Sequence, residues 1–233
     1  AASFKEAGEA EGATIDVVYP EEATADAQIK VLDNLISQQP DAICISANDF
    51  NALQAKLEEA MEAGIKVSSF DSAPNPASRQ VFVNQAGTVA VGQALIDAVY
   101  DLAGGEGQWA ILSATSQATN QNAWIDAMKA LMAADEKYAK LELVEVAYGD
   151  DEPQKSTDQT QALLDNYPDL KVICATTTVG VMAAAKLLQE AGIEAELHES
   201  KGTMHGFDTV FNAPTTQKMI TLRVEYMKRV FDQ

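Results

Sequence analysis

The 233 residues are 47% hydrophobic and 22% charged, an ordinary composition for a chain that buries a substantial core as one large domain or two small ones. A formal net charge of −19 repels phosphate backbones and excludes nucleic acid as a partner. No stretch approaches the roughly 20 consecutive apolar residues of a helical membrane span, so direct membrane insertion is not expected.

Apolar runs alternate with helical periodicity from the start. Residues 1–11, AASFKEAGEAE, read as an acidic amphipathic helix and not as an export signal. A strand is expected at TIDVVY (14–19), a helix over 24–38, a strand at AICIS (42–46), a helix over 50–63, and strands at KVSSF (66–70) and VFVN (81–84). A helix over 86–103 runs into AGGEGQ, a breaker, after which the pattern restarts. The second round is strand 109–114, helix 121–134, strand 141–148, helix 156–166, strand 171–176 and helix 179–191. This spacing predicts βαβ units and an α/β fold of two doubly wound lobes, each a parallel sheet covered on both faces. The lobes are placed at 1–86 and 87–192, with 193–233 as an atypical tail packed on the second. Because the chain opens on a helix, the first strand of a 2-1-3-4-5 sheet is expected to be lacking.

In open parallel sheets ligands sit outside the carboxyl ends of the strands. Those ends read Ser46, Ala47 and Asn48; Asp71 and Ser72; Asn84 and Gln85; then Ser113, Thr115 and TNQN (119–122); then Thr176, Thr177 and Thr178. Carboxamides, hydroxyls and one carboxylate, with few cations, suit a neutral polyhydroxylated ligand, whose hydroxyls pair with each of them and strand no charge. Asn48, Ser113 and Thr178 are read as caps or turn residues, whereas Asp71 and the Asn120–Gln121 pair are read as ligand groups. Phe70 and Trp124 stand near enough to stack on a sugar face, although an aromatic at such spacing serves the core more often.

Enzyme signatures are thin: there is no G-x-S-x-G, H-E-x-x-H, P-loop or C-x-x-C. Asp150 and Asp151 fall in a turn, where solvation explains them better than acid–base work. Cys44 and Cys174 lie inside β-branched runs and read as buried thiols, not as a disulfide or metal site. No catalytic residue, metal or cofactor is expected.

The stretches DAICISAND, AMEAGIKVSSFDSAPNPASRQVFVNQA, TNQNAWIDAMK, VAYGDDEPQKS and YPDLKVICATTTVGVMAAAKLL resemble type 1 periplasmic solute-binding proteins of the sugar-transport class, in the rhamnose-binding and autoinducer-2-binding branch. The resemblance covers about 1–192. It implies a two-lobed protein that holds a sugar or sugar-like furanose and presents it to the membrane permease of an ABC importer, without catalysis, as a monomer in the periplasmic or extracellular space. It also implies ligand contacts from Asp71, from Asn120 and Gln121, and from the start of the TTT turn at Thr177; Ser46, Asn84 and Gln85 complete the candidate set. The chain departs from the family at Ala73, where a second acid is usual, and at Ala175, where a proline is usual. The family's first strand and its C-terminal return are not recognised.

Residues 187–219 resemble instead the end of an α/β-hydrolase, with His205 at the triad histidine. That leaves a carboxylic-ester hydrolase remnant as an alternative, discriminated by the lack of a nucleophile elbow. The effector domain of a transcriptional repressor, which shares the two-lobed fold, is a third reading.

Overall fold

A computed structural model describes residues 2–84 and 86–192. The sequence-derived tail, 193–233, and the His205 reading lie outside the described residues.

Helix α1 (Ala2–Ala10) is followed by irregular chain, then α2 (Ala25–Gln38), β1 (Ala42–Ile45), α3 (Gln54–Glu62), β2 (Lys66–Phe70) and β3 (Val81–Val83). These strands pair in parallel in the order β1-β2-β3. Helix α4 (Thr88–Ala103) leads to β4 (Gly107–Ser113), α5 (Thr119–Ala134), β5 (Leu141–Tyr148), α6 (Pro153–Asn166), β6 (Leu170–Ala175) and α7 (Thr178–Glu190). The second set pairs in parallel as β5-β4-β6, in a separate sheet. The fold is therefore α/β with two parallel-sheet lobes.

Local chemistry sets most boundaries. The Thr24 hydroxyl accepts from Ala27 N–H to open α2, and Gln39 closes it in the left-handed region with φ 52°. Helix α6 starts earlier than its apolar periodicity suggests, because Pro153 occupies its first turn and the Glu152 carboxylate accepts from Lys155 N–H.

Two expectations are corrected. Residues 14–19 are not a strand, despite their β-branched composition. A strand exists only when a neighbour takes its backbone hydrogen bonds, and no strand among the described residues lies beside this stretch; Val18 and Tyr19 are left exposed. Nor is the first sheet covered on both faces by described elements. Ile43 and Val67 pack with Leu32 and Ile36 of α2 and Leu57 of α3, while their neighbours along the strands, Phe70, Val81 and Val83, stand exposed on the opposite face.

The second sheet differs. One face of β4 puts Trp109 and Ile111 against Ile96 and Val99 of α4 and Ile125 and Met128 of α5. The other puts Ala110 and Leu112 against Leu163 of α6 and Ala184 of α7. All four of these β4 residues have no exposed surface.

Candidate functional site

The carboxyl ends of β1 and β2 are tied together. Ala47 N–H donates to Ser72 C=O at 2.9 Å across the two strand ends. Gln28, buried on α2, holds the loop after β1 from beneath: its amide donates to Ser46 C=O at 2.7 Å and its carbonyl accepts from Asn48 N–H at 2.8 Å. On this platform the Ser46 hydroxyl donates to Asp71 Oδ2 at 3.2 Å. Asp71 itself sits in the left-handed region, φ 59°. Aspartate tolerates that conformation better than most side chains, and a residue held there by its surroundings is a common mark of a functional position. The sequence-named Ser46 and Asp71 are thus brought into contact.

In the second lobe Gln121 is the hub. Its Oε1 accepts from Ser113 Oγ at 2.8 Å, Ala114 N–H at 2.9 Å and Thr176 Oγ1 at 2.8 Å, joining the ends of β4 and β6 to the first turn of α5. A backbone N–H can only donate, so the Ala114 contact sets the orientation of the amide and directs Nε2 away from the strand ends. That NH2 has no hydrogen-bond partner among the described residues. Asn120 sits beside it and accepts from Gln121 N–H at 2.8 Å.

Thr177 is engaged inside the lobe. Its hydroxyl donates to Asp151 Oδ1 at 2.6 Å and accepts from Gly180 N–H at 3.1 Å, so it caps α7. Asn84 is exposed beyond β3, and its carbonyl accepts from Ala86 N–H at 3.3 Å. Gln85 lies outside the described residues.

A cleft of about 370 Å³ separates the lobes, within the size range of small-molecule sites. Its walls are Asp49, Phe50 and Asn51 from the loop after β1, and Gln117, Thr119, Asn122, Ala123 and Asp126 around the start of α5. None of the six described candidate ligand residues is among these walls, but Thr119 and Asn122 of the strand-end stretch TNQN are, with Asn120 and Gln121 between them on α5. The signal for the missed residues was present. Thr119 and Asn122 stand in the strand-end stretch TNQN without being picked as ligand groups, and NDF follows Ser46 by two residues, so a reading carried one turn further reaches Asp49 and Phe50.

The walls hold two carboxylates and three carboxamides and no cation. Asp49 Oδ1 is used by Asn51 and Ala52 N–H, both at 2.7 Å, which shapes the turn into α3. Among the described residues four buried side-chain polar atoms have no hydrogen-bond partner, the hydroxyls of Ser69, Ser72 and Thr119 and the Trp109 indole N–H; of these residues only Thr119 lines the cleft. Each such unmade bond costs about 1–3 kcal/mol, and the Thr119 hydroxyl is the one that a ligand in the cleft could satisfy. Burial pushes the Cys174 thiol up to about 12, which keeps it protonated and unreactive.

Residues 1–213 match the model of the periplasmic binding protein domain family. The chain belongs to this family. Among solved structures it resembles an ABC transporter solute binding protein from Clostridium phytofermentas with bound L-rhamnose. The two are 56% identical with a TM-score of 0.80, over 82% of this chain and 59% of that one. A sugar ABC transporter protein from Actinomyces odontolyticus is 39% identical with a TM-score of 0.57, over 80% of this chain and 60% of the other. The D-ribose/D-allose-binding protein of Pseudomonas aeruginosa is 27% identical over 183 residues, 74% of this chain and 54% of that protein. The chain therefore spans less than two thirds of the length of each of these relatives. The family match runs on to residue 213, across most of 187–219, and the hydrolase resemblance of that stretch finds no support.

Proposed function

We propose that the chain is the sugar-holding part of a solute-binding protein, one that takes a neutral deoxyhexose or similar sugar between its lobes and delivers it to an ABC importer without catalysis. The observation that carries this reading is the 56% identity to a protein solved with bound L-rhamnose. The chemistry of the site agrees: carboxamides, hydroxyls and carboxylates, without a cation, line the cleft and the strand ends beside it. In this reading Asp71 accepts sugar hydroxyl hydrogens, with Ser46 orienting its carboxylate. Gln121 gives its anchored NH2 to a sugar oxygen, and Asn120 works beside it. Thr177 contributes by fixing the turn after β6; Asn84 and Gln85 lie at the margin. The protein acts as a monomer in the periplasmic or extracellular space.

The test is calorimetry with L-rhamnose, D-ribose and D-arabinose on this chain and on Asp71→Asn. Asparagine keeps the left-handed backbone accessible while removing the charge, so fold and affinity are separated. Hydrogen bonds to a charged acceptor contribute about 1.5–3 kcal/mol each, so the variant should bind about tenfold or more weakly with an unchanged melting temperature. Failure of every neutral sugar to bind at millimolar concentration would overturn the reading.

A further inference from the structure

The walls of the cleft are polar except at one place. Phe50, on the loop after β1, and Ala123, on α5, are the apolar side chains among its described lining residues. Thr119, Asn122, Ala123 and Asp126 follow one another at intervals of three, one and three, so they form a single stripe along α5 with the small Ala123 inside it. Phe70 and Trp124, the aromatics that the sequence set near a sugar, are not among the walls.

Phe50 is fixed by its main chain and left open at its ring. Its C=O accepts from Asn75 N–H at 2.7 Å. The next residue, Asn51, is held at its N–H by Asp49 Oδ1 and at its own Oδ1 by Asn75 Nδ2, the latter at 3.3 Å. The ring nevertheless stays 40% exposed. An aromatic positioned in this way buries its ring against a ligand at little entropic cost. We propose that Phe50 is the residue by which the cleft selects 6-deoxy sugars: the sugar's methyl end rests on the Phe50 ring, and Ala123 leaves it room. Asn51, Thr119 and Asn122 beside it then serve the ring hydroxyls. A hydroxymethyl group at the same place would press its hydroxyl against the ring and lose a hydrogen bond to water. The proposal rests on the reading that the cleft holds a sugar.

The experiment is calorimetry with L-rhamnose and with L-mannose, its counterpart bearing a hydroxymethyl group in place of the methyl, on this chain, on Phe50→Ala and on Phe50→Leu. This chain should bind L-rhamnose about tenfold or more tighter than L-mannose, the discrimination that one group in an apolar pocket supplies. Phe50→Ala should bring the ratio of the two affinities close to one, and Phe50→Leu, still apolar, should keep most of it. The ratio is the deciding quantity, because any loss of folded protein lowers both affinities alike. A Phe50→Ala chain that weakens both sugars equally would overturn the proposal and make Phe50 a contact between closing lobes. One that changes neither would overturn it too. A chain that binds D-ribose or D-arabinose and shows no preference between the two test sugars, or takes neither, refutes the selection while the sugar-holding reading stands; a chain that binds no neutral sugar at millimolar concentration refutes both.

Discussion

The two sheets are built from the same parts and are buried differently, and the direction in which each winds explains why. Crossovers between parallel strands are right-handed, so a sheet that grows steadily one way keeps its helices on one side. The first sheet runs β1-β2-β3 without turning back, and its described helices share one face. The second steps from β4 to β5 and then returns past β4 to β6, so α5 and α6 fall on opposite faces. The strand sequences carry the mark. WAIL in β4 is apolar throughout and wholly buried, whereas KVSSF in β2 puts Val67 and Ser69 inside and Lys66 and Phe70 outside.

The sharpest way to break this comparison is to truncate one residue in each sheet. Leu112→Ala should destabilise the protein by about 2–5 kcal/mol, read from denaturant midpoints, because it empties space enclosed by α6 and α7. Val83→Ala, at a side chain that the described elements leave exposed, should stay within about 0.5 kcal/mol. Comparable losses would mean that the first sheet is as enclosed as the second.

Helix packing gives the next largest effect. Gly92 lets α4 approach α5, and a Cβ there would stand 2.7 Å from the Ala127 side chain and 3.3 Å from backbone atoms of Trp124 and Met128. Gly92→Ala should cost about 1–3 kcal/mol through overpacking, against the usual gain of alanine over glycine in a helix. A variant that melts higher would show that the two helices have room to part.

At the strand ends, Gln121→Leu removes the acceptor shared by Ser113, Ala114 and Thr176 and should cost about 1–3 kcal/mol, together with sugar affinity. Ser46→Ala loses a single 3.2 Å bond to Asp71 and should cost about 0.5–1.5 kcal/mol. If the two are equal, the Gln121 hub is no more than an ordinary contact.

The smallest effect concerns a partly exposed network of the second lobe centred on a carboxylate, where the first lobe centres its own on Lys56 between Asp33 and Glu59. Asp97 accepts from Lys137, Tyr138 and Gln93, and these bonds, that of Lys137 foremost, hold its carboxyl down to about 2 from 3.8. A carboxyl depressed in the folded state contributes stability that is present above its unfolded value and lost as pH falls through its folded one. The melting temperature should therefore drop between about pH 4 and pH 2, and Asp97→Asn should flatten that drop. An unchanged pH profile in the variant would show that the network contributes nothing measurable.

Much of the architecture was legible along the chain, because it depends on neighbours in sequence. The bounds of 66–70 and 141–148 were read to the residue, and strand and helix alternation placed Asp71 and Gln121 at strand ends. The failures were non-local. TIDVVY has the composition of a strand but no strand beside it, and composition cannot supply a partner. That Thr177, read as a ligand group, also caps α7 and bonds Asp151 was equally out of reach, since only the tertiary placement of Asp151 reveals it.

Periodicity, caps and turn residues, all short-range effects, were enough to establish an α/β chain of repeated strand–helix units with polar strand ends. They could not establish which sheet faces are covered, that Gln121 anchors its carbonyl and leaves its NH2 unpaired by the described residues, that Asp71 is held at a positive φ, or that Asp49–Asn51 and the start of α5 wall one cleft. Each of those depends on the direction of a crossover or on a hydrogen bond between residues far apart in the chain, and such contacts exist only once the strands have taken their places.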